Sequence, residues 1–231
     1  MAERTGPPRD SAGKTLEDYP RPSVAVDTAV LTVPESGRLS VLLTLTNDAA
    51  ASGRVSGNLS EWRLPGTFLH PGETLSDAVL RSLREKAGVE GLRPRQLRVF
   101  DAPGRDDRGW VLSVAHLDVV AAGRIHLVER TPIVPVDDLP PLQFDHQEIV
   151  EVAVDALRAQ YRIVPDPWAL LGDEPFTVRD LRLVHEAIAG ERFNPDTFRR
   201  TMLPGLKPTG TLRTGARGKP AELYQRSSPA A

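Results

Sequence analysis

Residues 64–89 read LPGTFLHPGETLSDAVLRSLREKAGV, which predicts a tight loop followed by one amphipathic helix. A Pro-Gly pair at 71–72 marks the turn, and Thr74 is a candidate helix N-cap because Asp77 follows three residues later. Gly88 is placed to end the helix, since glycine readily adopts the left-handed conformation found at helix ends. The apolar residues that keep helical spacing are Leu75, Ala78, Val79 and Leu83.

This loop and helix resemble the signature of the Nudix hydrolases, in which a glycine-bearing loop and a Glu-rich helix bind divalent metals on a diphosphate. The signature falls, in order, on Thr67, Glu73, Arg81, Ser82, Glu85, Lys86, Gly88 and Val89. Three positions of the signature are replaced here: its first glycine is Thr67, and two of its helix glutamates are Ser82 and Lys86.

The resemblance implies that Glu73 and Arg81 form an ion pair that braces the loop against the helix. Positions 82 and 86 share one helix face, where enzymes of the family hold magnesium with carboxylates. Ser82 and Lys86 supply no anionic oxygen, so we assign no catalytic and no metal-binding residue. Two alternatives remain open. The segment is an unrelated helix with a solvated Arg81–Glu85 pair, or the chain hydrolyses ADP-ribose or another nucleoside diphosphate derivative with Glu73, Glu85 and ligands from elsewhere.

The composition describes an acidic body with a basic end. The chain has 231 residues and no cysteine, which excludes disulfides and thiolate chemistry, and its N-terminus lacks a signal-peptide core, so we expect a cytoplasmic protein, nucleoid-associated when DNA-bound. Residues 1–175 contain 19 Lys and Arg against 26 Asp and Glu, whereas residues 176–231 contain 10 against 5. This distribution predicts a polyanionic partner.

The connector at 100–109 is unusually charged for a turn between two strands. Arg105 and Arg108 lie near the signature and are candidates for contacting nucleotide phosphates, because guanidinium forks match phosphate oxygens. The alternative is an ordinary solvated hairpin loop. Further along, residues 145–148 have the pattern of a capping box, which favours a helix-start role for His146 over a catalytic one.

The C-terminal residues predict two short helices and a β-hairpin. Thr177 caps the first helix, which ends at Gly190, and Asn194 caps the second. Phe198 and Met202 are four residues apart and are expected to face inward. That places Thr197 and Arg200 outward with Arg199 at the flank. The hairpin has a basic tip at 213–220, which favours a DNA-contacting wing over a merely solvated loop once the basic helix beside it is considered.

The whole pattern predicts an α+β protein, with a Nudix-like α/β/α sandwich followed by a winged helix-turn-helix domain. Strands are expected at 24–33, 39–45, 97–100 and 110–120, with a helix starting near Asp145. The expected segments are a disordered arm at 1–20, the Nudix-like domain at 21–160, a linker or docking segment at 161–175 and the winged helix at 176–231.

This combination resembles the Nudix-related transcriptional regulators of the NrtR family over residues 19–227. The motifs that carry the resemblance are YPRPS at 19–23, PGRD at 103–106 with RG at 108–109, FDH at 144–146, FN at 193–194 with FRR at 198–200, and GKPA at 218–221 with LY at 223–224. The resemblance implies a bacterial repressor of NAD-metabolism genes that dimerises, binds an inverted-repeat operator in double-stranded DNA, and releases it on binding ADP-ribose or a related nucleotide. No cofactor is expected to be required.

The resemblance and the charge pattern together assign candidate residues to two surfaces. The effector-binding candidates are Arg63, Glu73, Arg81, Glu85, Arg105, Asp106 and Arg108. The DNA-binding candidates are Asn194, Thr197, Arg199, Arg200, Lys207, Arg213, Arg217 and Lys219. Two alternatives remain beside the hydrolase. The chain could be an adaptor whose basic end binds an acidic protein, or it could activate transcription instead of repressing it.

Overall fold

The computed structural model of the chain describes residues 7–45, 62–125, 131–214 and 220–227. Its strands are β1 (Ser23–Thr32), β2 (Ser40–Leu42), β3 (Thr44–Leu45), β4 (Trp62–Arg63), β5 (Gly66–Phe68), β6 (Arg95–Phe100), β7 (Val111–Val119), β8 (Ile133–Pro135), β9 (Leu206–Arg213) and β10 (Ala221–Arg226). Its α-helices are α1 (Leu75–Ser82), α2 (His146–Tyr161), α3 (Val178–Ala189) and α4 (Pro195–Met202). Within the described ranges no helix is long and apolar enough to cross a membrane.

Strand β1 lies at the centre of a mixed sheet with the order β6-β7-β1-β2-β8. β7 runs parallel to β1, and the other edge of β1 is shared by antiparallel β5 and β2. Residues 25–32 are all buried, because both faces of this strand are covered. That burial explains why the predicted run at 24–33 is apolar almost without alternation, and Asp27 is the charged residue that interrupts it.

One helix covers each face of the sheet. Val26 and Val30 of β1 pack in the cluster that contains α1, whereas Ala29 and Leu31 pack in the cluster that contains α2. Successive side chains of a strand point to opposite faces, so one strand serves both cores. This arrangement confirms the predicted α/β/α sandwich.

Helix α1 has the predicted ends. The Thr74 hydroxyl accepts a hydrogen bond from the Asp77 amide at 3.2 Å, and the Asp77 carboxylate accepts one from the Thr74 amide at 3.0 Å. A π-helical turn, Leu83–Ala87, continues the helix, and Gly88 ends it with a φ of 65°. Both capping predictions for this segment are therefore confirmed.

The C-terminal unit is a winged helix with its own core. The buried members of that core come from both helices and the hairpin: Phe176, Leu181, Phe198, Met202, Leu206 and Tyr224. The predicted caps at Thr177 and Asn194 both accept hydrogen bonds from helix amides. These features confirm the predicted unit, although residues 215–219 of the hairpin tip lie outside the described residues.

The segment at 162–175 packs between the two units. Trp168 is buried in the core that contains α2, and Asp166 is fully buried. The Asp166 carboxylate accepts a hydrogen bond from the Tyr161 hydroxyl at 2.9 Å and forms an ion pair with Arg226 of β10 at 2.8 Å. This segment is thus tied to the helix before it and to the wing after it, and the predicted domain boundaries stay predictions.

Candidate functional site

The loop before α1 is braced by the predicted ion pair between Glu73 and Arg81. Arg81 Nε donates to Glu73 Oε1 at 2.7 Å, and its Nη2 donates to Oε2 at 2.9 Å. Arg81 Nη1 also donates to the hydroxyl of Thr67 at 3.2 Å. The residue that replaces the first glycine of the signature therefore adds a contact to the brace.

Replacing Glu73 with glutamine is expected to cost stability in a pH-dependent way. The hydrogen bonds from Arg81, and then the backbone amide of His70, lower the pKa of Glu73 from 4.5 to about 2. A lowered pKa means that the stabilisation is complete above pH 4.5 and is lost as the pH falls toward 2. Urea denaturation should therefore show a larger difference in unfolding free energy between wild type and Glu73→Gln at about pH 6 than at about pH 3.

The matched control is Glu90→Gln, since Glu90 is exposed and makes no hydrogen bond or ion pair with the described residues. This control should differ little from wild type at either pH. A Glu73→Gln cost that is the same at both pH values would contradict the brace as the source of the effect.

The face of α1 that holds metal in the resembled enzymes does not fit magnesium here. Ser82 is buried, and the half-buried Lys86 donates a hydrogen bond from Nζ to the backbone carbonyl of Gly66. Burial, and then the nearby guanidinium of Arg63, lower the pKa of Lys86. No group of three His, Asp or Glu residues in the described ranges could hold a metal ion. An ammonium therefore lies where a divalent cation would need carboxylates.

Asp27 of β1 is the buried anion beside this ammonium. Its Oδ2 accepts a hydrogen bond from the Ser113 hydroxyl at 2.5 Å, and its Oδ1 lies 3.3 Å from Nε2 of His146. Nδ1 of His146 accepts a hydrogen bond from the Leu64 amide at 2.9 Å, so the N–H of the ring is at Nε2 and faces Asp27. Burial raises the pKa of Asp27, but His146, Ser113 and Arg105 together outweigh it and hold that pKa below its usual value.

Glycine is required at position 66, where β5 pairs with β1 and residue 66 lies opposite Asp27. A Cβ on Gly66 would lie 1.8 Å from Oδ1 of Asp27 and 2.9 Å from the Val26 carbonyl oxygen. We expect Gly66→Ala to lower the free energy of unfolding by about 2–3 kcal/mol, since buried overpacking forces the strands apart. Urea denaturation measures this, with Gly123→Ala as the control because a Cβ there meets nothing within 4 Å. Equal stability of the two variants would contradict the close approach.

The two predicted arginines of the connector are both paired with carboxylates. Arg105 is almost fully buried and donates to both oxygens of Asp145, at 2.7 and 2.5 Å. Arg108 donates to both oxygens of Asp106, at 2.8 and 2.6 Å. The prediction of a capping box at the start of α2 is wrong. The Asp145 side chain makes no hydrogen bond to a helix amide and pairs with Arg105 instead.

The exposed side of Arg108 lies between two aromatic rings. Its guanidinium carbon is 5.2 Å from the ring centroid of Phe68 and 5.2 Å from that of Phe144. Phe144 has a φ of 56°, which is rare for a residue with a side chain. This strained turn directly precedes Asp145 and His146, the residues that bind Arg105 and Asp27.

These side chains line one pocket of about 140 Å³. Four predicted effector-binding residues line it: Arg63, Arg105, Asp106 and Arg108. The other three, Glu73, Arg81 and Glu85, do not line it, because the first two form the brace and Glu85 lies 3.8 Å from Arg81 on the exposed side of the helix. Lining residues that the sequence analysis did not assign include Asp27, Gly66, Phe68, Lys86, Phe144 and His146.

Cationic side chains outnumber carboxylates in the lining of the pocket. Arg105 and Arg108 are paired, but Arg63 and Lys86 form no ion pair with a carboxylate among the described residues. The Nε of Arg63 is buried and has no hydrogen-bond partner within the same residues. A buried donor without a partner costs free energy, so these two cations are ready to bind an anionic ligand.

The predicted DNA-binding residues fall into three groups. Thr197, Arg200 and Lys207 are exposed, and the side chains of Arg200 and Lys207 make no hydrogen bond or ion pair in the described part of the chain. Asn194, Arg199 and Arg213 have partners within the unit: helix amides for Asn194, the Tyr224 hydroxyl for Arg199, and Asp180 for Arg213. Arg217 and Lys219 lie outside the described residues.

The fold and the pocket define a class, a Nudix-type domain with a cation-lined pocket joined to a winged helix. The NUDIX domain model matches residues 24–157, and the model of the NrtR DNA-binding winged helix domain matches residues 168–225. The chain belongs to the NrtR family, since it also shares 30% identity with Shewanella oneidensis NrtR in a complex with a 27mer DNA. That likeness covers 88% of this chain and 93% of the other, with a TM-score of 0.68.

Two further comparisons concern ADP-ribose. The chain is 28% identical to the "ADPR responsive transcriptional repressor NtrR" of Acinetobacter baylyi, over 90% of this chain and 83% of that relative. It is also 28% identical to the Nudix domain of Shewanella oneidensis NrtR complexed with ADP ribose. In that case 63% of this chain and 95% of the other are covered, with a TM-score of 0.50.

Proposed function

We propose that this protein is a DNA-binding transcriptional repressor that responds to ADP-ribose bound in the Nudix-type pocket. The observation that carries this function is the pair of cations, Arg63 and Lys86, that lies beside the loop of the Nudix signature without a carboxylate partner among the described residues. A diphosphate is the anion that this loop and helix bind in the family. The winged helix supplies the DNA-binding half of the function.

We further propose that the effector binds without a divalent metal. In the resembled enzymes, carboxylates on the helix hold magnesium against the diphosphate. Here the ammonium of Lys86 lies on that face, and a fixed ammonium can neutralise phosphate oxygens directly. The unpartnered Nε of Arg63 adds a second donor in the same pocket. The pocket thus has cations that can bind phosphate oxygens, and the described residues include no group of three side chains that could hold a metal ion to activate water.

For the DNA half, we propose that two copies of the chain bind an inverted repeat upstream of NAD-metabolism genes. Helix α4 presents Arg200 on its exposed face, and such a helix enters the major groove in winged helix proteins. Two such helices must match successive major grooves, about 34 Å apart. ADP-ribose would release the DNA if it prefers a dimer geometry that breaks this match, and a tenfold loss of affinity requires about 1.4 kcal/mol.

The test is binding of the purified protein to labelled DNA from its own upstream region, with an unrelated duplex as competitor, with and without ADP-ribose. We expect specific binding that ADP-ribose weakens at least tenfold, in EDTA as well as in magnesium. ADP-ribose should be recovered intact after incubation. No preference for the upstream DNA, together with consumption of ADP-ribose in magnesium, would replace this function with that of a hydrolase.

A further inference from the structure

Helix α4, which we assign to the major groove, has the wing along one of its sides. Phe198 and Met202 face the core, so Arg200 lies near the middle of the exposed face. Arg199 lies toward one side of that face, where its Nη2 donates a hydrogen bond to the hydroxyl of Tyr224 on β10 at 3.2 Å. The hairpin of the wing therefore borders this side of the helix.

The end of α2 lies along the other side of α4. Thr197 and Thr201 of α4 line a cavity of about 430 Å³ together with two arginines, Arg158 and Arg162. Helical spacing places both threonines on the side of α4 opposite Arg199. Arg162 directly follows α2 and precedes the first helix of the winged helix. A cation from outside the winged helix thus lies beside the helix that we assign to DNA.

The two arginines differ in what they bind within the chain. Nε of Arg158 donates a hydrogen bond to the carbonyl of Ile188 at 3.0 Å, near the end of α3. Arg162 is exposed, and its side chain makes no hydrogen bond or ion pair with the described residues. Glu191 is the carboxylate in the lining of the same cavity, and it forms no ion pair with Arg162. The guanidinium of Arg162 is therefore available to an anion from outside the chain.

We propose that Arg162 binds a backbone phosphate of double-stranded DNA on the side of α4 away from the wing. This inference rests on the proposed function, in which α4 enters the major groove. That groove is about 12 Å wide and has a phosphate backbone along each edge, so a helix inside it lies between two rows of phosphates. The wing meets one row, and Arg162 meets the other. Such a contact fixes the position of the protein on the duplex and is independent of base sequence.

The test is the salt dependence of DNA binding by the full chain, measured by fluorescence anisotropy with the upstream duplex and with an unrelated duplex. We expect Arg162→Ala to weaken binding to both duplexes by about three- to tenfold and to lower the slope of log affinity against log salt by about one. Arg162→Lys should keep most of the affinity and the full slope, because an ammonium also binds phosphate. The ADP-ribose affinity of Arg162→Ala should equal that of wild type, since Arg162 does not line the Nudix-type pocket.

The matched control is Arg84→Ala, which removes another exposed arginine that has no ion pair with the described residues and does not line this cavity. Its affinity and salt slope should match those of wild type. If wild type binds DNA and Arg162→Ala keeps the same affinity and slope, this inference is wrong and the proposed function stands. A loss confined to the upstream duplex, with an unchanged slope, would also overturn it. A wild type that binds neither duplex would overturn both.

Discussion

Replacing Lys86 with methionine is expected to weaken ADP-ribose binding by roughly thirtyfold, or about 2 kcal/mol. Methionine keeps an unbranched side chain of similar length, so the helix and its packing persist. What is lost is the ammonium that lies beside Gly66 and Arg63 in the Nudix-type pocket. Titration calorimetry in EDTA measures the loss directly, and wild type should bind ADP-ribose equally well in EDTA and in magnesium.

The matched control is Arg84→Met, which removes a positive charge from the same turn of the helix. Arg84 is exposed, does not line the pocket and has no ion pair with the described residues. Its ADP-ribose affinity should stay within about twofold of wild type, because an exposed charge at this distance is screened by salt. If the wild-type protein binds ADP-ribose only when magnesium is present, the proposed role of Lys86 is wrong.

Replacing Arg200 with alanine is expected to weaken binding to the upstream DNA by about 1–3 kcal/mol while leaving ADP-ribose affinity unchanged. Arg200 projects from the exposed face of α4, opposite Phe198 and Met202, and is not held by another described side chain. An arginine in this position is free to donate to a guanine edge in the major groove. Fluorescence anisotropy with the upstream duplex and with an unrelated duplex separates specific from general binding.

Lys207→Ala provides the comparison within the same surface. Lys207 is the second residue of β9, and we expect it to contact phosphates, so both duplexes should be bound more weakly and the salt slope should fall by about one. Arg84→Ala removes one charge from the other half of the chain and should change neither duplex. If Arg200→Ala weakens binding to the two duplexes equally, Arg200 contacts phosphate and does not read the sequence.

The elements of the fold were predictable because their signals are local. Thr74 with Asp77 and Thr177 with Asp180 are three residues apart, and each pair forms its cap with neighbours in the chain. The apolar run of β1 is equally local, since a strand buried on both faces needs apolar residues in sequence. The Glu73–Arg81 brace was predictable from family resemblance, because loop and helix are adjacent in the sequence.

The capping box expected at Asp145 failed for the opposite reason. The local spacing of the motif is correct. However, the guanidinium of Arg105, forty residues earlier, donates hydrogen bonds to both carboxylate oxygens of Asp145. A bidentate, charge-assisted pair in a buried setting is stronger than a cap on an exposed amide. Nothing in the four residues of that motif indicates the presence of the competing arginine.

The sequence by itself determined the two-part architecture, the helix caps at Thr74, Thr177 and Asn194, and the basic C-terminal end, and it has Ser82 and Lys86 where the resembled enzymes have carboxylates. Only the tertiary structure decided which charged groups meet, because that depends on strands far apart in sequence. Asp27 and Lys86 line one pocket because β1, β5 and the helix that begins at Leu75 pack together, and the close approach of β5 to Asp27 requires Gly66. Pairing between residues far apart in the sequence also leaves Arg63 and Lys86 of the pocket without a carboxylate partner among the described residues.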